Sequence, residues 1–292
     1  MKTNRRNFIA SASATALMAS YWRPEKLQAA TQATKVFNPQ CPLPRINRPR
    51  TSLFCIGIGG RNVLSQLRIA NSPRVRVLKV QEKTNFDQHR DSHIAIILVG
   101  EEHTKAELQL ANDTAKRFWS TEIVNKRASD NRMVVVIAGH QFQECLDQRR
   151  FSPSLLNFTW INIVGNKGVA SSVSAILSCL YEPGFIAYDF ADLQLILGEG
   201  GIGQAATIDI PFAAAKRQIS YPAEFSKIES LLRNSSRALS IVTTHPDTTL
   251  MQLDNIFQSC RDCCSTLDEP NLVFTANFCA DFVTPKLSVF AL

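Results

Sequence analysis

Short apolar runs alternate with stretches of helical spacing along most of the chain. Ser52 to Ile58 has strand length and runs into Gly57-Ile58-Gly59-Gly60, after which Asn62 to Ala70 has helical spacing through Val63, Leu64, Leu67 and Ile69. This predicts a strand, a glycine turn and a helix. Further strands are predicted at Val75–Val80, Ile94–Val99, Met133–Ala138 and Trp160–Val164, with a helix over Lys105–Trp119 between the third and fourth. A helix over Val169–Leu180 stops at Glu182-Pro183-Gly184. Beyond it the pattern predicts a helix from Asp209 and Pro211 to Ile219, a strand at Leu239–Thr243, a helix at Thr249–Ser259, and strands at Asn271–Phe278 and Lys286–Ala291. The first part reads as an α/β unit with a parallel sheet, and the second as a smaller α+β unit with a mixed sheet.

Composition narrows the class. The chain has 292 residues, 45% hydrophobic and 20% charged, which fits a folded globular protein and excludes disordered and collagen-like classes. No apolar run approaches the roughly 20 residues of a membrane helix. The net charge of +7 is uneven: nine of the 32 Lys and Arg lie in residues 1–50 beside one acid, Glu25, leaving 23 basic against 24 acidic residues after it. The body is neutral to within one charge, so the basic balance gives no argument for nucleic-acid binding.

The basic excess has its own organisation. Arg5-Arg6 precedes Phe8-Ile9 and a weakly apolar Ala/Ser/Thr stretch, and Leu27-Gln28-Ala29 forms a small-residue cleavage pattern. Residues 1–30 resemble a twin-arginine export leader. Residues 31–50 carry four prolines and read as a basic linker. Residues 51–183 form the predicted parallel-sheet domain with its central helix, and 184–292 the second domain.

The segment Pro183-Gly184-Phe185-Ile186-Ala187-Tyr188-Asp189-Phe190-Ala191-Asp192-Leu193 resembles the tubulin/FtsZ family, in particular its bacterial FtsZ branch, where this segment follows the central helix as the synergy loop. The likeness continues through the glycine-rich strand Leu197–Gly203, the helix with Ala213-Ala214-Ala215, the run Ala238–Leu250, and Asn271-Leu272-Val273-Phe274 with the last strand. It spans residues 165–292 in order and spacing. The resemblance implies a tubulin/FtsZ-like fold, a cytoskeletal role linked to cell division, GTP as cofactor with Mg wherever GTP is bound, and FtsZ-like subunits, self or a true FtsZ, as partners. The residues alone establish no cofactor. They also imply no nucleic-acid partner and no transmembrane segment.

The first half matches in outline only. Gly57-Ile58-Gly59-Gly60-Arg61-Asn62 resembles a shortened first phosphate loop, and Gly100-Glu101-Glu102-His103-Thr104 stands where the family carries Gly-Gly-Gly-Thr-Gly-Thr-Gly. Phosphate loops use glycine because consecutive backbone N–H groups must converge on anionic oxygens beside a helix N-terminus. Glu101 and Glu102 bring like charge and added bulk to that place. Asn166-Lys167 stands where the family has Asn-Asp, and a lysine cannot accept the guanine N–H donors. The stretch from Lys79 to Ser92 is too short for the family's second and third nucleotide loops. Gly57, Gly59, Gly60, Asn62, Gly100 and Asn166 are therefore vestigial nucleotide-binding candidates.

Asp189 and Asp192 match the acids that in the family act in trans on the neighbour's nucleotide, where carboxylates orient the attacking water. Asp189 is also suited to cap the helix that follows. Cys260-Arg261-Asp262-Cys263-Cys264 contains a CxxC pair, read as redox-active or metal-binding, or as buried free thiols at core spacing. The five histidines lack metal-site spacing. The leading expectation is a divergent FtsZ-like filament-interaction protein with weak or no GTP hydrolysis. The alternatives are a self-assembling GTPase and an exported protein on the same scaffold. The resemblance implies the cytoplasm, and a functional Arg5-Arg6 leader implies the periplasm. Ending directly after the last strand, the chain is expected to lack the tail by which FtsZ reaches membrane anchors.

Overall fold

The structure is a computed structural model that describes residues 49–67, 72–81, 84–120, 132–139, 158–164, 167–182, 184, 190–210, 221–264, 271–279 and 284–292. The leader, residues 31–48 of the linker, Asn166, Asp189 and residues 211–219 of the helix expected from Asp209 lie outside them.

The described strands are β1 (Thr51–Cys55), β2 (Val75–Lys79), β3 (Ile94–Gly100), β4 (Met133–Ala138), β5 (Thr159–Ile163), β6 (Gly201–Asp209), β7 (Ala238–Thr244), β8 (Leu272–Phe278) and β9 (Lys286–Ala291). They form one sheet in the order β2-β1-β3-β4-β5-β6-β9-β7-β8. The strands from β2 to β6 in that order are mutually parallel, whereas β9 pairs antiparallel with both β6 and β7. The parallel part and the mixed part are thus one continuous sheet.

The helices are α1 (Gly57–Gln66), α2 (Lys105–Ser120), α3 (Val169–Tyr181), α4 (Phe190–Leu197), α5 (Phe225–Arg233) and α6 (Leu250–Cys263). Strand alternation decides which side each helix covers. Ile94, Ile96 and Leu98 of β3 join Val63 of α1, Val173 and Ile176 of α3 and Leu193 of α4 in one cluster. Ala95, Ile97 and Val99 face the other way, onto Leu108, Ala111 and Phe118 of α2. Farther along that second side, α5 and α6 cover Ile208, Val242 and Val289. Every residue of β3 and β4 is buried, which is why these strands read as unbroken apolar runs.

Four boundaries differ from the sequence expectation: the first helix ends at Gln66 with Leu67 extended, Asp209 closes β6 instead of opening a helix, and two lie at glycines. The glycine turn at Gly57–Gly60 is the first turn of α1, so β1 ends at Cys55 and a single residue, Ile56, joins strand to helix. The stretch Leu197–Gly203 is not a strand throughout: Leu197 closes α4, and β6 begins at Gly201. Its glycines carry no side chain, so the alternation that marks a strand is invisible there. The amphipathic helix α5 and the 3-10 turn Asp87–His89 were not anticipated.

Candidate functional site

Because β1 to β6 are parallel, their C-terminal ends share one edge, where ligands of open α/β sheets bind. The edge collects Gly57, Gly59, Gly60, Asn62 and Gly100. Gly59 lies flat on the β3 end: a Cβ on it would stand 2.7 Å from the Val99 carbonyl oxygen. Gly100 has φ +94°, and a Cβ there would stand 2.6 Å from the Gly59 Cα. These two glycines serve a backbone-to-backbone contact between α1 and the end of β3.

The helix N-termini at this edge are met by the chain's own groups. Thr104 and Glu107 form a reciprocal capping box on α2: Glu107 Oε2 accepts from the Thr104 N–H at 2.8 Å, and Thr104 Oγ1 accepts from the Glu107 N–H at 3.2 Å. The other Glu107 oxygen lies against Gly57, where an added Cβ would overlap it. Glu101 Oε1 accepts from the backbone N–H of Val169, the first residue of α3, at 2.5 Å. Lys167 pairs with Asp209, at the end of β6, at 2.7 Å. Thr-x-x-Glu is a capping signal visible in sequence, but nothing local announces that Glu101 reaches a helix 68 residues away.

At the opposite edge α3 ends. The Tyr181 hydroxyl meets the Pro49 carbonyl oxygen at 2.9 Å and Thr51 Oγ1 at 2.6 Å. A buried polar group lies beside it: Ser52 Oγ bonds to His89 Nδ1 and to Ser92 Oγ, both at 2.7 Å. Burial, aided by the Arg76 charge, holds the His89 pKa below its usual value, with Asp91 opposing. His93 Nδ1 accepts from the Arg50 N–H at 3.2 Å, and its ring meets that of Phe190, the first residue of α4, edge-on at 6.3 Å. Burial and then Arg50 lower its pKa as well. Burial works against the Asp91 charge, but Arg76 and Arg50 outweigh it and hold that carboxyl below the usual range. Asp192 stands in the first turn of α4, next to this edge. The two ends of α3 thus separate Gly57, Gly59, Gly60, Asn62 and Gly100 from Asp192.

Cys260, Cys263 and Cys264 are free and buried, at the end of α6. Cys263 Sγ donates to the Ser259 carbonyl oxygen and Cys264 Sγ to that of Cys260, both at 3.1 Å. Burial pushes the Cys264 thiol up to about 11 and raises Cys260 and Cys263 too. Such thiols are poor nucleophiles and poor metal ligands. Among the described residues no group of three His, Cys, Asp or Glu is placed to hold a metal, and no helix is long and apolar enough to cross a membrane.

No protein-family model matches the chain, and no curated protein matches it in sequence. Solved structures do. An empty FtsZ dimer of M. jannaschii superposes with a TM-score of 0.59 at 12% identity, covering 92% of each chain. CetZ2 from Haloferax volcanii, solved as a GTPγS-bound protofilament, gives 0.52 at 11% identity, covering 83% of this chain and 92% of its own. With its parallel strands, helix α3 packed on one side of them and a mixed part joined through β9, the chain has the tubulin/FtsZ-like fold.

Proposed function

We propose that the chain is an FtsZ-like filament-interaction protein with weak or no GTP hydrolysis, which docks on an FtsZ-like subunit through the end of the molecule where α3 gives way to α4. The observation that carries this reading is the join between β1 and α1. Only Ile56 separates them. A phosphate-binding turn needs several residues whose N–H groups point into a shared concavity. Here Gly59 and Gly60 are turned onto the backbone of β3 and β1 instead. The likeness to an FtsZ dimer and a CetZ2 protofilament supports filament subunits as the partner class. Asp192, and Asp189 just before α4 in sequence, are the residues proposed to meet that partner.

Two measurements on the full chain test the reading. Calorimetric titration with GTP and GDP is expected to give no binding up to millimolar nucleotide. Sedimentation with preformed FtsZ filaments is expected to carry the chain into the pellet, and Asp189→Ala or Asp192→Ala to leave it in the supernatant. Micromolar GTP binding with turnover would overturn the reading in favour of a self-assembling GTPase. No association with filaments would remove the docking role.

A further inference from the structure

We propose that Glu101 is a built-in anion: its carboxylate takes the place of a ligand anion on the N-terminus of α3 and locks that end of the molecule shut. The inference rests on the reading of this edge as a disused nucleotide face, and it explains what holds the edge together without nucleotide.

Helix α3 does not cap itself. Its N-cap is Gly168, which has no side chain, and its first turn contains no acid. A helix N-terminus concentrates unpaired N–H groups and partial positive charge, so it needs an acceptor from elsewhere. Glu101 supplies one through the Val169 N–H.

The surroundings of Glu101 are shaped to hold it. A Cβ on Gly139 would stand 2.5 Å from the Glu101 Cα, and one on Gly168 would overlap its carboxylate. Two glycines from two separate loops therefore clear room for one glutamate, the first for its backbone and the second for its charge. Next to Glu101 the chain is tied down, because the Gly139 N–H donates to the Gly100 carbonyl oxygen at 2.8 Å. Glu107 meets the N-terminus of its own helix through Thr104, and its other carboxylate oxygen lies against Gly57. The glutamates at this edge thus do more than repel phosphate: they occupy the positions that anions favour. Since α3 runs from Val169 to the Tyr181 contact with β1, the lock also fixes the helix that carries the docking end.

The test uses full-length wild type, Glu101→Ala and Glu101→Gln, with amide hydrogen exchange at Val169 and thermal unfolding with and without inorganic pyrophosphate. Losing a charge-assisted hydrogen bond is expected to speed Val169 exchange about tenfold or more in Glu101→Ala. Pyrophosphate is expected to raise the unfolding temperature of Glu101→Ala and leave wild type unchanged. Glu101→Gln keeps the shape without the charge, so its Val169 exchange should fall between the two, with no pyrophosphate effect. Glu101→Ala with wild-type exchange and no response to pyrophosphate overturns the proposal. If Glu101→Ala does not fold, wild-type exchange at Val169 in Glu101→Gln overturns it instead. GTP binding by the wild type would fail the functional reading, whereas these outcomes bear on the lock alone.

Discussion

The two ends of α3 are held by different chemistry. At Val169 the fastening is a carboxylate-to-backbone hydrogen bond and depends on glycines: Glu101 bonds the helix, Gly139 and Gly168 make the room, and Gly100 at φ +94° lets the β3 end meet α1. At Tyr181 it depends on hydroxyls, imidazoles and a pair of arginines on one carboxylate: Tyr181 to Thr51, Ser52 to His89 and Ser92, and Arg50 and Arg76 to Asp91. The first end resists added volume, and the second resists loss of hydrogen-bonding groups or added charge. At the first end Gly59, Gly60 and Gly100 are spent on close backbone packing.

This contrast can be broken from either side. The largest effect is expected for Gly100→Ala, which combines a left-handed backbone angle with a Cβ 2.6 Å from Gly59 Cα. The cost should be about 3 kcal/mol, measured by urea unfolding. An unchanged midpoint would show that the edge is loosely packed. Tyr181→Phe at the other end keeps the ring and removes the hydroxyl from the Pro49 and Thr51 contacts, with an expected loss of about 1 kcal/mol.

The third effect depends on pH and belongs to the Tyr181 end alone. His89 and His93 both have folded-state pKa values below the usual 6.5. The unfolded chain therefore binds their protons more readily. Their contribution to stability is complete above about pH 6.5 and is lost as pH falls toward the folded values. Unfolding midpoints measured from pH 7.5 to 5 should decline, and replacing both histidines by glutamine should flatten that part of the slope. The smallest effect is expected for Lys167→Met. Its ion pair with Asp209 is half-exposed, so the change in stability should stay within about 1 kcal/mol in the same unfolding assay.

Much of the fold was legible because buried strands leave an unmistakable trace. Ile94–Val99 and Met133–Ala138 are apolar without interruption, since helices cover both sides. Glycine spoiled the reading elsewhere. In Gly57–Gly60 it hid the start of α1, because glycine ordinarily argues against helix, and the reason it is tolerated lies in the opposing backbone of β3. Helix α5 has Phe225, Ile228, Leu231 and Leu232 on one face, and its nine residues passed unnoticed. The sequence singles out Gly57–Asn62 and Gly100–Thr104, which the structure brings to one edge of the sheet. The contacts around them are not legible, because Glu101 to Val169 and Ser52 to His89 are long-range meetings that local patterns cannot encode.

The position of β9 has a consequence for how the protein is made. It is the last strand in chain order, yet it lies between β6 and β7 in the sheet. As the polypeptide leaves the ribosome, β7 and β8 emerge before the strand that joins them to β6. They can pair with each other, but they must wait with an open edge until residues 286–291 arrive. The joining step is thus postponed until residues 286–291 have been made. In the interval the exposed edges of β6 and β7 are open to mispairing and to chaperones.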